Sequence, residues 1–110
     1  MTTIAVQKKY ADILATFGDL QDSVNIALQR YAIEQITSKV NELRQRNAKY
    51  RDKYGVDYPA FSARISEDEE YVKHIESNIS KTWEIDLADW EFCYKGIDDW
   101  TRKLHDILIA

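Results

Sequence analysis

Two histidines, one cysteine and many carboxylates are the residues of this chain that could carry nucleophilic, acid–base or metal chemistry. His74 and His105 fall in different predicted helices, and neither has the neighbouring His or Cys of a zinc site. Glu70 and His74 can share a helix face, but such a pair is usually a surface contact. Cys93 lies on a predicted apolar seam with no basic neighbour, which indicates a buried and unreactive thiol. With no phosphate-binding loop and no nucleophile elbow, the chain is predicted to be neither an enzyme nor a cofactor-binding protein.

Acidic and aromatic residues near the end of the chain indicate binding instead. All three tryptophans lie in the segment WEIDLADWEFCYKGIDDW, residues 83–100. Tryptophan is frequent in interface hot spots, and carboxylates steer a basic partner. The predicted partner-binding residues are Trp83, Asp86, Asp89, Trp90 and Trp100. A helical core filled by the tryptophans and a solvated acidic face explain the same pattern equally well.

The elements that must position these residues are predicted to be mainly α-helical. The chain has three Gly and one Pro, too few for many β-turns, and a hydrophobic share of 45% that supports a core. From Asp19 to Gly55 apolar residues recur every three or four positions, which predicts one long helix capped at Asp19 and ended by Gly55. A second apolar stripe widens the first half of this helix only: Leu20, Val24, Leu28 and Tyr31.

Helices are also predicted after Gly55. Pro59 favours the start of a short helix, and residues 66–69 (Ser-Glu-Asp-Glu) form a candidate capping box for the next one. A final helix over 82–109 would pack as a hairpin against the second half of the long helix. Gly96 within it indicates a kink or a close helix approach, because Gly costs about 1 kcal/mol relative to Ala at such a position.

The first residues leave two alternatives open. Ile4 and Val6 alternate with smaller or polar residues, which favours a short β-strand over residues 1–7. Such a strand would need the same strand of a second chain as its partner. Alternatively, the first helix begins near Thr3. Apolar spacing over residues 8–17 predicts a helix that Gly18 ends.

A strand, a short helix, a glycine turn and the helix NIALQRY together resemble the ribbon–helix–helix DNA-binding module. The resemblance covers residues 1–36 and implies a homodimer whose paired strands enter the major groove of promoter DNA. The residues it places there are Thr3, Ala5 and Gln7 at base edges, with Lys8 and Lys9 at phosphates. The chain departs from the module in its shorter first helix and in the Gln at position 7.

The later part of the chain resembles the C-terminal half of small prokaryotic type II antitoxins. The run KYGVDYPAF, residues 53–61, and the Trp-Glu pairs at 83–84 and 90–91 carry this resemblance. Antitoxins of this kind bind and silence a toxin, often an RNase, and repress their own promoter. The resemblance therefore implies a cognate toxin as the protein partner.

The two halves of the chain differ in net charge, which suggests that they bind different partners. Residues 1–54 hold nine Lys/Arg and six Asp/Glu, whereas residues 55–110 hold six and thirteen, for a total net charge of −4. We therefore predict three regions: a dimerising DNA-binding module (1–36), a helical continuation (37–55) and an acidic partner-binding region (56–110). The predicted function is an antitoxin, and the alternative is a helical scaffold or adaptor without DNA binding. A lone cysteine and the lack of a long apolar run predict a cytoplasmic protein without membrane association.

Overall fold

The chain is helical wherever it is regular in the computed structural model, which describes residues 3–109. No strand occurs among these residues. Helix α1 spans Lys8–Leu14 and runs into a 3₁₀ turn at Ala15–Phe17; α2 spans Leu20–Tyr54, α3 Tyr58–Glu67, α4 Glu69–Asn78 and α5 Trp83–Ile109. The predicted mainly α class is thus confirmed.

The N-terminal strand is the part of the fold prediction that is not observed. Residues 3–7 have no regular structure, and residues 1 and 2 lie outside the described part of the chain. Gln7 is extended (φ −62°, ψ 141°) immediately before α1. A strand needs a neighbour for its backbone hydrogen bonds, and residues 3–109 contain none. The alternative of a helix from Thr3 is also wrong, because α1 begins at Lys8.

Helix α2 begins and ends where local residues predict. The Asp19 carboxylate accepts a hydrogen bond from the backbone N–H of Asp22 at 3.1 Å, which caps the first turn. Gly55 has φ +76°, the left-handed conformation that ends a helix and suits glycine best. The 35 residues between these marks form one helix of roughly 50 Å.

The chain divides into two compact units, residues 1–35 and residues 36–110. Within the first unit, no residue from 3 to 35 is buried. Its nine exposed large apolar side chains are Ile4, Val6, Tyr10, Ile13, Phe17, Leu20, Ile26, Leu28 and Tyr31. The predicted assignment of functions to regions 1–36, 37–55 and 56–110 stays a prediction.

The second unit has a well-defined aromatic core. Trp90 and Phe61 are completely buried and lie 5.3 Å apart between ring centroids. Tyr54, Tyr71 and Ile75 complete this cluster, so α2, α3, α4 and α5 each supply part of it. Because α2 contributes Tyr54, the core of this unit depends on residues that precede Gly55.

Aspartates, rather than the predicted capping box, start the short helices. Asp57 accepts the backbone N–H of Ala60 at 3.0 Å and caps α3. Asp68 accepts the N–H groups of Glu70 and Tyr71 and caps α4. The capping box at Ser66 is wrong because α3 continues to Glu67, and the Ser66 hydroxyl donates within that helix to a carbonyl one turn earlier.

Gly96 marks a close approach of α5 to the second half of α2. A Cβ atom at this position would lie 2.9 Å from Cδ1 of Leu43, which is itself buried. A larger residue at position 96 would therefore displace the Leu43 side chain. Of the two predicted explanations for Gly96, close approach is the observed one.

Candidate functional site

Asp86 and Asp89, two of the predicted partner-binding residues, lie against α2. Asp86 accepts hydrogen bonds from the Lys53 ammonium and the Tyr54 hydroxyl, both at 2.6 Å. Asp89 accepts the Tyr50 hydroxyl at 2.6 Å and is paired with Arg46. The expectation that both lie on the outward acidic face is therefore corrected: each carboxylate is half-buried and held by one cation and one tyrosine.

The hydrogen bonds between α2 and α5 shift the pKa values of three of the groups involved. Burial opposes the charged form of Asp86, but the hydrogen bonds from Lys53 and Tyr54 outweigh it and lower the pKa of this carboxyl. Burial and the bond to Asp89 raise the pKa of Tyr50, and burial together with the bond to Asp86 raises that of Tyr54. The shifts thus favour an ionised Asp86 and neutral Tyr50 and Tyr54 hydroxyls, which can donate hydrogen bonds.

Trp90, a third predicted partner residue, belongs to the core. Its indole Nε1 donates to the Asn47 side-chain oxygen at 2.7 Å, and its ring stacks on Tyr50 and Tyr54 at 5.7 Å. A completely buried ring with its only polar atom satisfied has no surface left for a partner. For Trp90, the core-filling alternative is the one observed.

Trp83 and Trp100 are only partly buried. The indole Nε1 of Trp83 donates to the Glu76 carboxylate of α4 at 3.0 Å. The Lys103 ammonium lies 4.3 Å from the centroid of the Trp100 ring, a cation–π distance. Both keep accessible ring surface, and their predicted partner role stays a prediction.

An apolar stripe that the sequence analysis did not single out runs along the outer face of α5. Ile85 is 70% exposed and Phe92 61%, with Ala88 between them. These positions recur every three and four residues, so they share one side of the helix over roughly 10 Å. Both large residues lie off the core-facing heptad line, which is the pattern that could have predicted their exposure. We call Ile85, Ala88 and Phe92 the outer stripe.

Acidic residues border the outer stripe. Glu84 is exposed beside Ile85, and Glu91 lies beside Phe92, where it is paired with Lys95 one turn later. Beyond Phe92 a shallow open depression of about 340 Å³ reaches Gly96 and Asp99. The surface thus has an apolar centre, an acidic rim and an adjoining depression. These features suit the binding of a basic protein whose protruding side chain enters the depression.

The residues predicted to contact DNA lie in the first unit and are all exposed. Thr3, Ala5 and Gln7 belong to the irregular segment before α1, where the Gln7 side chain makes no capping hydrogen bond. Lys8 and Lys9 occupy the first turn of α1, and the Lys9 ammonium lies 5.0 Å from the centroid of the Tyr10 ring. Their predicted DNA contacts stay a prediction.

The part of the chain from residue 3 to residue 109 brings no metal-binding group of His, Cys, Asp and Glu together. Cys93 is buried, and burial raises the pKa of its thiol despite the nearby Arg46. The His74 ring shares a hydrogen bond with the Asn78 side chain on its own helix. None of these groups forms a nucleophile–base pair.

Across residues 3–109 no helix is both long enough and apolar enough to cross a bilayer. No protein-family model, curated protein or solved structure matches this chain.

Proposed function

We propose that this protein is a non-catalytic antitoxin that binds and neutralises a cognate toxin of the RNase class through the outer face of α5. The single observation that carries the proposal is the outer stripe, two large exposed apolar side chains with acidic neighbours on one helix face. An RNase needs a basic surface for phosphate. An acidic rim complements such a surface, and the stripe adds apolar area that is buried on contact.

The helix clamps support this assignment by keeping α5 in place. Arg46, Tyr50, Lys53 and Tyr54 of α2 hold Asp86 and Asp89 on the inner side of α5. The outer stripe is thereby presented on a helix that is already packed, so little conformational entropy is lost on binding. In this arrangement the inner carboxylates position the surface, and the outer side chains contact the toxin.

The test is co-expression and binding with the product of the adjacent short reading frame. Phe92→Ala should speed dissociation and cost about 2 kcal/mol of affinity or more. Leu108→Ala is the matched control, since Leu108 is exposed to a similar extent on the same helix but lies outside the stripe. Unchanged affinity for Phe92→Ala, or an equal loss for both variants, would refute binding through the stripe.

Electrostatic steering has its own test on the same helix. Glu84→Lys should slow association with the toxin and reduce the salt dependence of the rate, because Glu84 borders the stripe. Asp106→Lys changes the net charge by the same amount near the end of α5, and it should have a smaller effect. Equal effects for the two variants would mean that net charge matters and the position of the stripe does not.

Promoter repression remains a separate part of the proposal. It assigns self-association to residues 1–36, base contacts to Thr3, Ala5 and Gln7, and phosphate contacts to Lys8 and Lys9. Lys8→Ala should weaken binding to the protein's own promoter for every sequence tested and lower the salt slope by about one unit. A promoter shift that is independent of salt, or none at all, would contradict it.

The second candidate is a helical scaffold that binds protein but no DNA. The observation that favours it is the irregular backbone of residues 3–7, where the DNA-binding module would need a strand. A toxin-free strain separates the two candidates. The antitoxin should repress a reporter placed behind its own promoter, whereas the scaffold should leave reporter expression unchanged.

A further inference from the structure

The first unit exposes an amount of apolar surface that is typical of an interface. Nine large apolar side chains between Ile4 and Tyr31 are 41–78% exposed. At roughly 100 Å² each they amount to on the order of 900 Å². This area belongs to more than one face, since Ile26 lies opposite Leu20 and Leu28 on α2. A standard protein–protein interface takes about 800 Å² from each partner, so the face that carries Leu20 and Leu28 can supply part of such an interface.

The charge of this unit suits a second copy of itself. Residues 1–35 hold three Lys/Arg and four Asp/Glu, whereas residues 36–110 hold twelve and fifteen. Two nearly neutral surfaces approach each other with little repulsion. The acidic excess of the chain lies in residues 55–110, with six Lys/Arg and thirteen Asp/Glu, and a basic toxin would be steered there.

One stripe of the first unit is self-complementary. Leu20, Val24 and Leu28 are spaced by four residues along α2, and Leu20 and Leu28 are both exposed. A two-fold axis at Val24 sets each Leu20 of one copy against Leu28 of the other when the helices are antiparallel. The same patch then serves both copies, as a two-fold interface requires. Antiparallel helices also place opposite dipole ends side by side.

We propose that a second copy of this chain covers Leu20, Val24 and Leu28 through antiparallel packing of the first halves of two α2 helices. This inference rests on the self-association in the proposed function and specifies its geometry. It needs neither a strand at residues 3–7 nor a toxin, so its failure is distinguishable from failure of toxin binding through α5.

A charge-complementation experiment on the full chain tests the geometry. Leu20→Lys and Leu28→Glu should each weaken the dimer at least tenfold in sedimentation equilibrium. An equal mixture of the two variants should form mixed dimers, because one Lys–Glu pair and one Leu–Leu pair face each other. Native mass spectrometry distinguishes mixed dimers from either homodimer.

Ile26→Lys is the matched control, since Ile26 is exposed on the opposite face of α2. This variant should dimerise as the wild type does, and the helical content of all variants in far-UV circular dichroism should match that of the wild type. A monomeric wild-type chain at micromolar concentration would overturn the proposal. The proposal would also be overturned if the wild type is a dimer but the two variants form no mixed dimer. That result would indicate parallel helices, in which position 20 of one copy faces position 20 of the other.

Discussion

The two units of this protein use similar apolar residues in opposite ways. Residues 36–109 bury nine hydrophobic side chains, including Trp90 and Phe61, whereas residues 3–35 bury none. The difference is topological, because α3, α4 and α5 fold back on the second half of α2, while the first half has only the short α1 in its own unit. A segment rich in apolar residues needs a surface that covers those residues. Whether the same chain provides that surface depends on which other helices can pack against the segment.

Truncation of Trp90, at the centre of the aromatic core, should lower the free energy of unfolding more than any other change. This loss would confirm that the second unit has a core of its own. Trp90→Ala should destabilise this unit by about 3–5 kcal/mol because it leaves a large cavity among Tyr50, Tyr54 and Phe61. Urea unfolding followed by tryptophan fluorescence measures this, with Trp83 and Trp100 as remaining probes. The control is Phe17→Ala in the first unit, where the side chain is 78% exposed.

Phe17→Ala should shift the same transition by no more than about 0.5 kcal/mol. All three tryptophans lie in the second unit, so this signal reports on that unit alone. A loss for Phe17→Ala as large as for Trp90→Ala would contradict the contrast between the two units.

A methyl group added at the close contact of α2 and α5 should lower the free energy of unfolding by less than the loss of Trp90 does. Gly96→Ala gains about 1 kcal/mol of helix propensity. Overpacking against Leu43 costs about 1–3 kcal/mol, which leaves a net loss of on the order of 1 kcal/mol. In a Leu43→Ala background the contact is absent, so Gly96→Ala should then stabilise the protein. The coupling in this double-mutant cycle is the measured quantity, and additive changes would disprove the close approach.

Loss of one helix clamp should destabilise the protein by no more than Gly96→Ala does, and this loss should depend on pH. Asp86→Asn should cost about 1 kcal/mol at neutral pH, because it removes the charge that Lys53 and Tyr54 stabilise. The pKa of Asp86 is lower in the folded state, so its stabilisation is present above the unfolded-state pKa and is lost as pH falls below about 4.

Urea unfolding of wild type and Asp86→Asn at pH 7 and at pH 3 measures this difference. The two stabilities should converge at the lower pH. Asp106→Asn, on an exposed part of α5, is the control and should change little at either pH. A difference that persists unchanged at pH 3 would show that the Asp86 charge is not the stabilising group.

Local features of the sequence predicted the elements well. Asp19 and Gly55 bound α2 because a cap and a left-handed glycine act on residues one turn away. Gly96 was recognised as a close approach or a kink because a helix interior otherwise disfavours glycine. Ser66 misled the prediction of the α4 cap because the preceding helix extends past it to Glu67, and Asp68 caps α4 instead.

The candidate site was harder to predict because it depends on contacts between distant residues. Apolar spacing on α5 identifies its buried side, but it does not reveal that Tyr50 and Tyr54 direct hydroxyl groups at Asp86 and Asp89. These hydrogen bonds hold the Asp86 and Asp89 carboxylates against α2, although the sequence suggests that both are on the surface. The outer stripe follows only after the inner side is known, because Ile85 and Phe92 then remain as large apolar residues that are 70% and 61% exposed, with the Arg46 guanidinium 5.8 Å from the centroid of the Phe92 ring. The strand predicted over residues 1–7 is not observed in residues 3–7, because its partner would have to come from another chain.

Hydrogen exchange at several protein concentrations distinguishes the two units by what completes them. In the proposed dimer the second unit is complete in one chain, while the first half of α2 is completed by a second copy. Amide protection in α5 and in residues 36–54 should be independent of protein concentration. Protection of residues 20–35 should rise with concentration over the range in which the dimer forms. Equal protection of residues 20–35 at concentrations where the chain sediments as a monomer would contradict the account.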